Sequence, residues 1–153
     1  MNDGKITLIF LAILAILIMY LMLRRKSLNA LRNKVEDLIE RSLKDDVNAQ
    51  YKLGEFFERE PITWLLFRKD KFALMRALGL PVKHEEYKNR AALCYMLSFT
   101  GGNFLAESSF NYLCKNSPCE AELKEIKKQI EMGKRDEVVQ LAMAMITSEN
   151  LSI

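Results

Sequence analysis

The sequence predicts an all-α protein: one membrane-spanning helix at the N-terminus, followed by a small array of helical hairpins. Three observations predict this. Residues 6–23, "ITLIFLAILAILIMYLML", contain no charged side chain. Downstream, apolar residues return every three or four positions, in runs punctuated by Gly, Pro and capping residues. The apolar–polar alternation that marks a half-buried strand occurs nowhere. With 153 residues, the chain has room for one modest domain beside its anchor.

Residues 1–5 form a short tail in which Lys5 is balanced by Asp3. As a helix, residues 6–23 extend roughly 27 Å, close to the hydrocarbon thickness of a bilayer. Thr7 and Tyr20 are its only polar side groups, so it lacks the polar stripe of a helix that packs on a soluble core. A cleaved signal peptide requires a basic leader, a shorter apolar stretch and small residues before the cut. Here Arg24, Arg25 and Lys26 follow the apolar run instead, and they read as a stop at the membrane surface. Lys/Arg excess marks the cytoplasmic flank. The expected topology therefore places the N-terminus outside and residues 24–153 in the cytoplasm, with a periplasmic C-terminal domain as the alternative. Three cysteines (Cys94, Cys114, Cys119), an odd number without a disulfide-framework spacing, agree with a reducing compartment.

Residues 24–44 form a basic amphipathic helix next to the membrane. Seven Lys/Arg stand against Glu36, Asp37 and Glu40, a balance that favours anionic headgroups. Leu28, Leu31, Val35, Leu38, Ile39 and Leu43 make an apolar stripe. That stripe either packs on the domain that follows or pairs two copies of the chain in a short coiled coil.

The domain occupies residues 45–153. Asp45 or Asp46 caps a helix whose apolar face is Ala49, Leu53, Phe56 and Phe57. Gly54 inside that helix costs ~1 kcal/mol relative to Ala, which implies close approach by a neighbour. Pro61 opens an apolar, aromatic helical segment that includes Trp64 and Phe67 and stops at Gly79 and Pro81. From about Glu85 to Phe99 the sequence is apolar on several sides, as in a helix sandwiched between others. "TGGN" ends it, since Gly takes the left-handed conformation without penalty. A helix with Ala106, Phe110, Leu113 and Cys114 follows. Ser117, Pro118 and Glu120 read as a capping box for the next. Leu123, Ile126 and Ile130, then Val138, Ala142, Met145 and Ile146, define two final helices at about 118–148.

"AQYKLG" with its following "FF" resembles the first helix of a Sel1-like repeat, a helical hairpin related to the tetratricopeptide. "NRAALCYMLSFTGGNFLAESSFNYL" resembles the second helix, the glycine turn and the start of the next repeat. The resemblance covers about residues 47–113. It implies a right-handed helical array in which Ala49, Gly54, Ala91, Gly101, Gly102 and Ala106 sit where helices cross. Family members join their two helices by a short loop, whereas this chain carries an insert at about 58–88. Isolated repeats need caps, and the helices at 118–148 are the expected cap.

No enzyme chemistry is expected. The single His, His84, has no triad partner, and no phosphate loop, dinucleotide fingerprint or zinc-protease motif is present. "CKNSPC" lacks the remaining ligands of a zinc site. No cofactor, metal or nucleic acid is expected, and a net charge of +3 is too small to argue for the last. Candidate partner-binding residues are Tyr51, Phe56, Tyr87, Tyr95 and Tyr112, along a groove between hairpins, with Trp64 and Phe67 in the insert. Ordinary core packing is the competing assignment for all of them. The expected function is that of a single-pass bacterial inner-membrane adaptor or scaffold, whose setting, by the resemblance, is an envelope or secretion-type complex. A protein that neutralises a toxin or enzyme at the membrane is the alternative.

Overall fold

The computed structural model describes residues 3–59, 68–80, 84–115, 117 and 119–148. Among these, all regular structure is helical: α1 (Asp3–Leu43), α2 (Val47–Glu58), α3 (Arg68–Ala77), α4 (His84–Thr100), α5 (Leu105–Lys115), α6 (Glu120–Glu131) and α7 (Arg135–Thr147). Trp64, Phe67 and the start expected at Pro61 lie outside the described residues.

The membrane-length run and the amphipathic stretch after it are one continuous helix, α1. Their boundary at residue 23/24 is a change of composition without a break in the backbone. The N-terminal half of α1 is long and apolar enough to cross a membrane, and none of its most apolar window is buried within the protein. A core helix of this domain would be covered, so the domain itself gives this segment no apolar surroundings. The C-terminal half is covered. Val35, Leu38 and Ser42 are buried, and Leu31 and Ile39 pack against the core beside them. Leu31, Val35, Leu38 and Ile39 are four of the six residues of the stripe expected from the sequence, packed on the domain that follows, while Leu43 is 38 % exposed.

A tight turn then reverses the direction. Asp45 takes a left-handed φ of 58°, and the amide of Asp46 donates to the carbonyl of Arg41 at 3.1 Å. A non-glycine residue in this region is uncommon, and here its carboxylate is engaged on two sides. It accepts from Arg135 at 2.6 and 2.7 Å and from Gln50 Nε2 at 2.9 Å. Asp46 is the N-cap of α2, accepting from the amides of Asn48 and Ala49 at 2.9 and 3.0 Å. Arg41 and these amides hold its carboxyl below the usual carboxylate range. Stability from Asp46 is thus present above the unfolded carboxylate pKa and lost as pH falls through the lower folded value. Asp46→Ala should cost about 1 kcal/mol at neutral pH. In urea melts at successive pH values, the gap from the parent protein should close in acid. A gap that stays constant would contradict the assignment.

α4 is the centre of the domain. Residues 89–98 are all buried, because α2 and α5 pack on it most extensively and α6 and α7 close the remaining sides. Ser98 Oγ donates to the carbonyl of Val47 at 2.7 Å, and Tyr95 lies against Gly54, so α2 and α4 are antiparallel. A Cβ on Gly54 would stand 2.9 Å from the Tyr95 ring, closer than such atoms approach. The glycine expected to allow close approach does so. The ring cannot easily retreat, since its hydroxyl donates to Glu58 at 2.6 Å and Tyr51 packs beside it at 5.5 Å between centroids. Gly54→Val should therefore destabilise the domain by about 2 kcal/mol through overpacking. Gly54→Ala made in a Tyr95→Leu background should be neutral or stabilising, since the helix-propensity gain of ~1 kcal/mol is then uncovered. A denaturation cycle without coupling between the two sites would refute the contact.

The two glycines of "TGGN" have different tasks. Gly102, at φ 104°, ends α4 in the left-handed conformation, with Asn103 N bonded to Ser98 O at 3.0 Å. Gly101 instead leaves room, because a Cβ there would run into Val47 and the Arg135 guanidinium. The capping box expected at α6 is absent. Ser117 Oγ accepts from the Cys119 amide at 3.0 Å and donates to Asn89 Oδ1 at 2.7 Å, while the Glu120 carboxylate turns to Lys124 at 2.5 Å. A buried asparagine on α4 has claimed the hydroxyl, and a lysine one turn on has claimed the acid.

Candidate protein-binding and membrane-facing surfaces

The predicted aromatic anchors divide into three groups. Tyr87 and Tyr95 are buried, at 4 and 1 % exposure, and are corrected from groove residues to core. α4 is covered on every side, so no phase of its periodicity faces a groove. Tyr51 and Phe56 are half-buried along α2. Tyr112 is 67 % exposed on α5.

Phe56 and Tyr87 already have an occupant. Lys71 of α3, only 4 % exposed, sets its ammonium 5.4 Å from the Phe56 ring centre and 5.3 Å from that of Tyr87. It also donates to the carbonyls of Phe57 and Arg59, at 3.2 and 2.7 Å. A cation at the C-terminus of α2 offsets the helix dipole and satisfies carbonyls left without intrahelical donors, and the rings add cation–π attraction. Lys71 thereby ties α3 to the end of α2.

Two other buried or half-buried cations act in the same way. Arg90, 0 % exposed, donates to the carbonyls of Ile146 and Ser148 at the end of α7, the latter at 2.6 Å. Arg135 donates to Asp45, to Thr100 Oγ1 at 2.9 Å and to Leu97 O at 3.0 Å, joining the ends of α1 and α4 to the start of α7. The sequence reading missed Lys71, Arg90 and Arg135 as interior residues. Their partners, main-chain carbonyls and for Arg135 also Asp45 and Thr100, lie 12 or more residues away in sequence and leave no periodic trace.

Of the repeat-packing residues, Ala49, Ala91 and Ala106 are buried at 1, 0 and 0 %, as close helix crossings require. Among the membrane-surface residues, Arg25 and Lys26 are exposed, whereas Arg24 pairs with Asp70 of α3.

Two surfaces of the described residues bear on partner binding. A groove of about 290 Å³ between α1 and α2 has Leu31, Val35, Leu38 and Phe56 on its floor, with Lys34, Lys52, Glu55 and Arg59 around it. On the other side, Phe104 and Leu105 are 76 and 73 % exposed ahead of Tyr112. Leu105 and Tyr112 are two turns apart on one face of α5, opposite the buried Ala106, Phe110 and Leu113.

Among the described residues, no group of three or more His, Cys, Asp and Glu is placed to hold a metal ion. All three cysteines are free thiols. Burial raises the Cys94 thiol far above its ordinary value, while Cys119 is half-exposed. Thiolate supply and access both govern reactivity. Native alkylation should accordingly modify Cys119 first and leave Cys94 untouched until denaturant is added. Prompt modification of Cys94, read by peptide mass mapping, would contradict the packing of α4. Comparison with protein-family models, with curated proteins and with solved structures finds no match for this chain.

Proposed function

We propose that this chain is a single-pass membrane protein whose helical-hairpin domain, of the Sel1/tetratricopeptide kind, serves as an adaptor that binds proteins beside the bilayer. The observation that carries the reading is the face of α5. Leu105 and Tyr112, with Phe104 just ahead of the helix, are exposed on the outside of the domain. Exposed aromatics on a rigid helix lose little side-chain entropy on binding and supply the anchors that dominate protein interfaces. The repeat assignment is supported by the antiparallel α2–α4 pair with Gly54 at its crossing, and by α5 returning along α4 after the Gly102 turn. Arg25 and Lys26, exposed directly after the apolar run, favour an outside N-terminus and a cytoplasmic domain. A bacterial inner membrane and an envelope or secretion-type complex follow from the resemblance.

The anchor confines the domain to a thin layer, raising its effective concentration toward membrane-associated partners. A photo-crosslinking residue at position 112, in full-length protein in native membranes, should capture a membrane-associated protein. The same probe at the exposed Glu125 of α6 serves as control. Equal or absent capture at both sites would reject the reading. Capture of one small, diffusible toxin or enzyme would assign the chain to the neutralising class instead. A reporter fused after Ile153 tests the orientation separately.

A further inference from the structure

We propose that the end of the domain nearest the apolar half of α1 is a binding surface for anionic phospholipid headgroups, built from Arg25 and Lys26 of α1 and Lys69 of α3. This inference rests on the membrane-spanning reading of α1 and adds a second attachment to it. α2 leads back along α1 after the turn at residues 44–46, and α3 then begins beside Arg24, where the Arg24 guanidinium bonds the Asp70 carboxylate. At its other end α3 reaches Ile39 and Leu43, since Ala77 and Leu78 share a cavity with them. α3 therefore runs parallel to α1, and its first turn is level with the first charged turn after the apolar run.

Among the described residues, the exposed charges at this level are of one sign. Arg25, Lys26 and Lys69 are exposed. Asp70, the one acidic residue of α3, is nearly buried and turned onto Arg24. α1 has no acidic residue between Arg24 and Val35. Arg24 thus acts as a strut that fixes α3 against the anchor, and the three neighbouring cations face outward without a carboxylate among them. Arg25 and Lys26 stand within one helical turn of the last apolar residue, about 3–5 Å along the axis, which is headgroup depth for a spanning helix. A cation there contributes about fivefold to the attraction of an anionic surface. This position favours lipid over a soluble polyanion as the occupant.

The test uses the full-length protein in nanodiscs of phosphatidylcholine, with or without phosphatidylglycerol, and amide hydrogen exchange as the readout. Phosphatidylglycerol should slow exchange in α3 by at least about fivefold, leaving α5–α7 unchanged. The slowing should vanish in high salt and in an Arg25→Glu/Lys26→Glu/Lys69→Glu variant, whose unaltered α5–α7 exchange reports an intact fold. Asp70→Asn should speed α3 exchange in both lipids by releasing the strut. Equal α3 exchange in the two lipids, or slowing that survives the triple substitution, overturns the proposal. So does slowing by an added acidic polypeptide in phosphatidylcholine discs with no effect of phosphatidylglycerol, which would give the surface to a protein. Carbonate extraction from membranes separates the outcomes. A chain that resists extraction but shows no lipid effect on α3 fails this inference alone, whereas one that is extracted fails the spanning reading beneath it.

Discussion

Arg90→Met is expected to lower the unfolding free energy of the helical domain by about 3–5 kcal/mol, the range for removing one partner of a buried charged interaction. Arg90 is among the largest fully buried side chains of the described residues, and its guanidinium bonds the carbonyls of Ile146 and Ser148. Those carbonyls end α7, where no intrahelical donor remains. Burial is costly to the charge: it lowers the guanidinium pKa to about 10, with Glu86 opposing the shift. Methionine removes that desolvation cost, which is why the change is not worse. It takes the guanidinium donors from two carbonyls, and a hydrogen bond to a charged group contributes about 1.5–3 kcal/mol. Arg90→Lys should recover little, because a single ammonium lacks the fork that spans two acceptors. For a domain of this size the loss corresponds to a fall of more than about 12 °C in Tm. Thermal unfolding followed by far-UV circular dichroism in mild detergent measures it. A Tm within about 3 °C of the parent value would mean that the α7 terminus is held by something other than Arg90.

Arg90 also shows where sequence reading stops. Local signals were legible because their causes are local. The charge-free run of α1, an aspartate cap on α2, the stop at Gly79 and a left-handed glycine in "TGGN" each depend on a few neighbouring residues, and each appears. The structure chooses Asp46 over Asp45 and Gly102 over Gly101. Gly54 was legible for a different reason, as a helix-interior glycine is unfavourable unless a neighbour needs the space, and Tyr95 is that neighbour. Long-range polar pairing was not legible. Lys71 and Arg90, together with Asp70, look like surface letters in "RKDKF" and "KNRAAL", yet the fold buries all three against carbonyls or a guanidinium. The aromatic anchors failed for want of phase. A helix apolar on all sides offers no preferred face, so its periodicity cannot tell Tyr87 and Tyr95 from groove residues; it is the packing of α2 on Tyr95 and of α3 on Tyr87 that makes them core. Phe104 and Leu105 carry the opposite lesson. The apolar face expected of α5, Ala106, Phe110, Leu113 and Cys114, is buried as its spacing requires, and the two apolar residues outside that spacing are left exposed.

The largest effect is expected from charge placed in the apolar half of α1, and its size can be set against what holds the segment in lipid. Residues 6–23 contain twelve Leu, Ile and Phe, which together favour insertion by on the order of 4–6 kcal/mol. Replacing Leu14, at the centre, by Arg costs roughly 3–4 kcal/mol. Leu14→Arg alone should therefore leave a weakened but still favourable span. Leu14→Arg with Ile18→Arg, one turn apart on the same face, should exceed the whole driving force. Both positions are exposed, and no part of the domain covers them, so the change cannot act by disturbing the core around α4. Two arginines at the exposed Ala30 and Asn33, beyond the apolar run on the same helix, add equal charge without entering hydrocarbon. Membranes washed in alkaline carbonate should retain the parent protein, the single variant and the Ala30/Asn33 control, while releasing most of the double variant. Retention of the double variant would mean that something other than the apolarity of residues 6–23 holds the chain against carbonate, and release of the parent protein as well would mean that residues 6–23 do not cross the bilayer.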